Sequence, residues 1–164
     1  MSQIKGLREI GYFDCPGGGQ VYVDKGHAYV AHMDGPDGTT IVDVTDPRRP
    51  RRVAHLQVPE GVHSHKVRVV NDLMLVNWEA PPPYKLAPGF RGGLGIYDVA
   101  DPAAPRKITF WQTAGTGVHR TPPKASRRGL LSIGSPAPQP TRDKLRHFMS
   151  IASQALRFKV NPPI

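Results

Sequence analysis

The sequence predicts an all-β chain built of antiparallel four-stranded units, and two observations predict it. The segment Thr40 to Val53, TIVDVTDPRRPRRV, returns 55 residues later as GIYDVADPAAPRKI, Gly95 to Ile108. Upstream of each copy, VDKGHAYVAH (Val23 to His32) lies against VVNDLMLVNW (Val69 to Trp78). In both, short runs of apolar, β-branched and aromatic residues flank a turn dipeptide, Lys25-Gly26 or Asn71-Asp72, which is the pattern of a β-hairpin.

Taken in order, each unit has an entry strand, its hairpin partner, an Ile-x-Asp-Val strand and a last strand. The last strands, Arg52 to Leu56 and Lys107 to Trp111, follow Asp46-Pro47 and Asp101-Pro102. These Asp-Pro pairs turn the chain because the aspartate accepts local backbone hydrogen bonds and proline fixes φ. Asp43 and Asp98, inside the repeated strand, are expected to satisfy nearby backbone groups and to do no acid-base work. Gly61-Val62-His63 and Gly117-Val118-His119 then open the next unit in each case. At the N-terminus, Arg8 to Phe13 reads as the last strand of a unit, with Ile10 to Phe13 expected to pair with a sheet.

A repeat offset of this size suits the blades of a β-propeller, which use about 40–50 residues each in rings of about 4–8 blades. Residues 1–120 would then hold one outer strand, two blades and the opening of a third: a partial propeller, with self-association through open blade edges expected. After Arg120 the repeat stops. Residues 121–140 form an irregular linker rich in Pro, Ser and Arg. In residues 141–164, Leu145, Phe148, Met149, Ala152 and Leu156 recur at helical spacing between a Thr141 cap and Pro162-Pro163, which predicts a basic amphipathic helix. The tail reads as a degenerate, misframed or truncated C-terminus of a longer repeat protein.

Charge is a property of the tail. Of the formal net charge of +9, residues 121–164 carry +7 and residues 1–120 only +2. The repeat region therefore lacks the clustered cations of a nucleic-acid surface, and the tail lacks interleaved aromatics, so nucleic acid is not the expected partner. No apolar run reaches the roughly 18 residues of a membrane span, and the first residues lack a signal-peptide core. With one cysteine, Cys15, and no intrachain disulfide, a soluble, cytoplasmic protein is expected.

Histidines are the candidates for chemistry. His63 and His65 are two apart, so on an extended strand both project from one face, and His119 repeats the position of His63 in the next unit. If these residues open inner strands, their imidazoles would converge at the channel on a transition metal such as Zn, Fe, Cu or Ni, with Glu79 as an oxygen ligand. Turn-capping or surface roles compete with ligation for His63 and His119. In the first unit the matching positions are Gly17 and Gly19, so ligation is not repeated throughout. Glu79 and Arg120 are the candidate ligand-binding residues, and His27, His32, His55 and His147 are weaker candidates as ligands. Gly17-Gly18-Gly19 lacks the ending of a phosphate loop, Ser64 lacks the strained turn of a serine nucleophile, and Cys15 lacks the basic neighbours of a reactive thiol. Pro81 to Tyr84 is an extended insertion between two strands of the second unit.

Together, VDVTDPRRP (Val42 to Pro50), IYDVADPAAP (Ile96 to Pro105), LMLVNWE (Leu73 to Glu79) and GVHR (Gly117 to Arg120) resemble the LVIVD-repeat β-propeller proteins. The resemblance covers about residues 7–120 and implies a bladed propeller; it implies little about chemistry. Three functional classes follow: a ligand- or protein-binding module, which is the principal expectation; a metal-dependent redox or hydrolytic enzyme using channel histidines; and an inactive truncated or misframed fragment.

Overall fold

The computed structural model describes residues 8–119, 123–125 and 131–133. They form two four-stranded antiparallel sheets and a two-stranded ribbon, with no helix among them. Sheet 1 is the meander β1 (Gly18–Asp24), β2 (His27–His32), β3 (Asp37–Asp43) and β4 (Arg51–Gln57); sheet 2 is β5 (Val67–Val70), β6 (Leu73–Trp78), β7 (Gly93–Asp98) and β8 (Arg106–Gln112). The ribbon pairs β9 (Pro123–Ala125) with β10 (Leu131–Ile133). Each sheet joins its strands in chain order, as the repeated sequence predicts.

The turns form for the expected local reasons. Lys25, Asn71 and Asp72 hold positive φ at the two hairpins, and Asn and Asp tolerate that region better than most side chains. Asp43 accepts from the Thr45 amide and from Arg51, while Asp98 accepts from the Ala100 amide and from Arg106. Asp46 and Asp101 accept from the amides of Arg48 and Ala103 in the same way. The repeated aspartates thus do identical structural work, although Asp43 and Asp98 end their strands instead of sitting within them.

The two sheets share one core. Tyr29, Ala31 and Ile41 of sheet 1 pack against Val67, Val69, Met74, Val76 and Tyr97 of sheet 2, with Val99 following β7. Period-two alternation places those residues on facing surfaces. The repeat makes the asymmetry legible: Val67 and Val69 are 0% and 2% exposed, whereas Val21 and Val23, their counterparts in sheet 1, are 56% and 62% exposed. Sheet 1 covers that face of sheet 2, and nothing among the described residues does the same for β1.

One expectation needs correction. Residues 8–15 form no strand, and Ile10 and Tyr12 are exposed. A last strand needs the three strands of its own unit beside it, and no described strand pairs with this segment. The linker of 121–140 is described only over 123–125 and 131–133, and Arg120, His147 and the expected helix in 141–164 lie outside the described residues. No helix among the described residues is long and apolar enough to cross a membrane.

Candidate metal centre

Residues 63–65 run between the ends of β2 and β6. Ser64 bridges to His32 at the end of β2, His63 bridges to Glu79 just beyond β6, and Glu79 bridges onward to Gly117. On the other side the His65 carbonyl accepts the Gln20 amide at 2.8 Å, which ties the segment to β1. A side chain at position 19 would meet the carbonyls of Ala31 and His65 at 2.6 and 2.9 Å. Glycine there is required by close approach, which is the physical reason that the position matching His65 carries no ligand in the first unit.

This three-way seam gathers the histidines. The rings of His63 and His65 stand 4.1 Å apart between centroids, and those of His65 and His119 5.1 Å apart. Ligand atoms of His63, His65 and Glu79 all lie within 4.8 Å of one another, and all three residues are buried. His65 Nδ1 is 3.8 Å from Glu79 Oε2, near the roughly 3.3–3.5 Å that separates two ligand atoms of a tetrahedral ion with bonds of about 2.0–2.2 Å.

Proton positions follow from the partners. The Met33 carbonyl accepts from His63 Nδ1, so the lone pair of the neutral ring is on Nε2. A metal-ligating imidazole is commonly held this way, by its other N–H on a carbonyl or carboxylate. His119 Nδ1 donates to the Glu79 carboxylate at 2.8 and 3.1 Å, so His119 is placed to orient the carboxylate and stands outside the triad of converging atoms. His65 Nδ1 is buried and has no hydrogen-bond partner among the described residues. Burial first, then the neighbouring His63, Lys66 and His119, pushes the His65 pKa down to about 4, so the ring is neutral and able to bind a cation at pH 7.

The depressed pKa sets a stability dependence. Between about pH 6.5 and pH 4 the unfolded chain takes up a proton at His65 that the folded chain refuses, so stability is full above pH 6.5 and falls as pH drops through that window. A shift of this size corresponds to roughly 3 kcal/mol. In the metal-free chain, the urea midpoint is expected to fall between pH 7 and pH 4.5, and to fall distinctly less in His65→Gln; equal pH slopes would contradict the assignment.

The other buried histidine cluster is the contrast. The Gly17 amide donates to His32 Nδ1 at 2.6 Å, so His32 Nε2 donates to Thr40 Oγ1 at 2.7 Å. The Thr40 hydroxyl then donates to His55 Nδ1 at 2.9 Å, and His55 Nε2 reaches Asp37 at 3.0 Å. Every nitrogen in that chain has a partner. His65 Nδ1 has none among the described residues, and a buried polar atom of that kind is explained by a bound water or ion or by local strain.

Asn77 is a positioning residue that the sequence reading did not single out. It is fully buried; its Oδ1 accepts the Lys66 amide at 2.7 Å and its Nδ2 donates to the Val118 carbonyl at 2.9 Å. One amide therefore clamps the residue after His65 and the residue before His119. The signal was a lone polar residue in an otherwise apolar strand, LMLVNW. Replacing Asn77 with alanine leaves two buried backbone groups unsatisfied and is expected to cost roughly 1–3 kcal/mol, read from urea unfolding, whereas Asn77→Asp keeps the acceptor for Lys66 but buries a carboxylate against the Val118 carbonyl and is expected to cost at least as much.

The remaining candidates do not join the site. His27 contacts the Lys25 carbonyl at an exposed hairpin. Ser64 Oγ is buried with no partner, hence no base activates it. Burial and Asp14 raise the Cys15 pKa, which opposes a reactive thiolate. No protein-family model and no curated protein matches the chain.

Proposed function

We propose that the chain binds one transition-metal ion of the Zn, Fe, Cu or Ni class through His63 Nε2, His65 Nδ1 and a Glu79 carboxylate oxygen, with His119 holding that carboxylate. The observation that carries this reading is the buried, unpartnered His65 Nδ1 facing a carboxylate inside a group of three converging ligands. Two imidazoles and a carboxylate suit borderline ions better than Mg or Ca, which prefer all-oxygen shells. Three protein ligands leave a fourth position of a tetrahedral ion for water or substrate, which is the arrangement of catalytic sites more than of structural ones. The half-exposed His119 gives that side access to solvent.

We further infer that the two sheets are successive blades of a propeller of the LVIVD-repeat kind. Their chain-order meanders, their shared core and the identical aspartate turns support this reading. In that setting a metal held where three successive units meet would sit on the inner strands, where a propeller offers its channel. A ligand-binding module with a metal centre is therefore the function that the geometry supports best.

The test is metal analysis of the full chain after purification and exhaustive dialysis against metal-free buffer, followed by titration with Co(II). Close to one equivalent of metal retained, and a saturable visible Co(II) spectrum at one ion per chain, are the expected results. A chain that retains no metal and gives no Co(II) spectrum overturns the proposal.

A further inference from the structure

Sheet 2 carries a second feature, on the surface that faces sheet 1. A groove of about 410 Å³ opens between residues 59–62, which follow β4, and the outer part of sheet 2. Its floor is aromatic: Trp78 of β6 and Phe110 of β8 meet at 4.6 Å between centroids. They meet because the intervening strand carries glycine where side chains would stand between them, with Gly93 paired to Trp78 and Gly95 paired to Phe110. A Cβ at position 93 would meet the Trp111 carbonyl oxygen at 2.1 Å and then the Phe110 ring at 2.9 Å, so close backbone approach requires the glycine and no side chain of its own covers the ring.

The repeat shows what this replaces. By the same alignment, Trp78, Gly95 and Phe110 stand where sheet 1 has His32, Thr40 and His55. In sheet 1 those three positions close on themselves through hydrogen bonds that end on Asp37. In sheet 2 the polar chain is gone, two larger aromatic rings take the outer places, and the centre is a glycine. One unit fills the station with its own side chains; the other leaves a ring-lined space that its own side chains do not fill.

The charged residues that line the groove are mostly basic. Lys107 Nζ lies 5.5 Å from the Trp78 ring centroid and 5.4 Å from that of Phe110, within cation–π range, and no carboxylate pairs with it among the described residues. Arg91 lines the same space and spends two donors on Gln112 Oε1, which leaves others of its fork for an acceptor. Glu60, from the 59–62 wall, is the one acidic residue lining the groove among the described residues. A pocket of this size with an aromatic floor and a few polar groups is the usual form of a small-molecule site.

We propose that this groove binds a small planar anion, an aromatic carboxylate or its like, whose ring lies on Trp78 and Phe110 and whose charge is met by Lys107 and Arg91. The proposal does not rest on the metal centre. Trp78 and Glu79 are adjacent in the chain, but the metal ligands His63, His65 and Glu79 do not line the groove.

The probes are 2-naphthoate and its neutral counterpart 2-naphthamide, titrated calorimetrically into the full chain at low salt, with and without chelator. One naphthoate per chain is expected, about 10-fold tighter than naphthamide, with or without metal. Lys107→Met should erase most of that preference while leaving naphthamide binding in place, and Glu60→Gln should tighten naphthoate by removing the opposing charge. Because both residues are exposed, neither change threatens the fold. Equal affinity for the two probes, an unchanged preference in Lys107→Met, or no saturable binding of naphthoate up to about 1 mM overturns the proposal.

Discussion

Replacing His65 with alanine is expected to abolish retained metal and to weaken Co(II) binding by well over 100-fold. Loss of an outer-shell partner alone typically costs about 10–100-fold in metal affinity, and loss of one of three ligands must exceed that. His65 is the informative position because its Nδ1 has no hydrogen-bond partner among the described residues, so alanine there breaks no hydrogen bond of that nitrogen, and the cost of the void left by the buried ring is read separately from the urea midpoint. His63→Ala should act similarly on the metal, with an added stability loss from the bond to the Met33 carbonyl. Glu79→Gln keeps the shape but halves the ligating oxygens and removes the charge. His119→Ala should fall in the smaller range, about 10–100-fold, because its nitrogen meets the carboxylate and not the converging triad. His55→Ala serves as the control, since that ring belongs to the closed network of sheet 1. Equal affinities for His65→Ala and His55→Ala would refute the ligand assignment, and an effect of His119→Ala as large as that of His65→Ala would move His119 into the ligand shell.

The second large effect is on stability. Met74→Ala is expected to lower the unfolding free energy by roughly 2–5 kcal/mol, the range for truncating a fully buried side chain with incomplete collapse of the cavity. Met74 is 0% exposed and pairs with Val69 and Tyr97 across its own sheet. It also belongs to the cluster that, among the described residues, joins the two sheets. Truncation there opens a void at the one interface that both sheets depend on, so neighbours in either sheet can relax into it only by separating from the other. Leu86→Ala, at a side chain 53% exposed, should stay within about 0.5 kcal/mol. The measurement is the urea midpoint at constant slope; a loss below about 1 kcal/mol for Met74→Ala would mean that the sheets do not share a tight core.

Much of the site was legible before any coordinates. The spacing of His63 and His65 places both rings on one face of an extended segment, and the repeated Gly-Val-His identifies His119 as a counterpart. The contact of His119 was not legible: that its Nδ1 meets the Glu79 carboxylate depends on the distance between two chain segments 40 residues apart, which no local pattern encodes. Asn77 escaped for a related reason. A lone asparagine in a strand reads as an irregularity until the two backbone groups it joins, from Lys66 and Val118, are seen beside it. The aromatic groove escaped because Trp78 and Phe110 are 32 residues apart and meet only across the glycines of β7.

The sequence by itself determined the local units: the hairpins at Lys25-Gly26 and Asn71-Asp72, the aspartate turns after β3 and β7, and the alternation that gives each sheet two distinct faces. These rest on interactions within a few residues, where side-chain chemistry and backbone preference act without help from the rest of the chain. Tertiary structure decided which faces are covered, which is why Val67 and Val69 are buried while Val21 and Val23, their repeats, are open. It also decided that Ile10 to Phe13 forms no strand, since a strand exists only beside a partner. Above all, it decided which histidine nitrogens find hydrogen-bond partners among the described residues, and that His65 Nδ1 does not. Identical imidazoles in sheet 1 and at the seam carry opposite meanings because hydrogen-bond satisfaction is a property of packed neighbours and not of sequence.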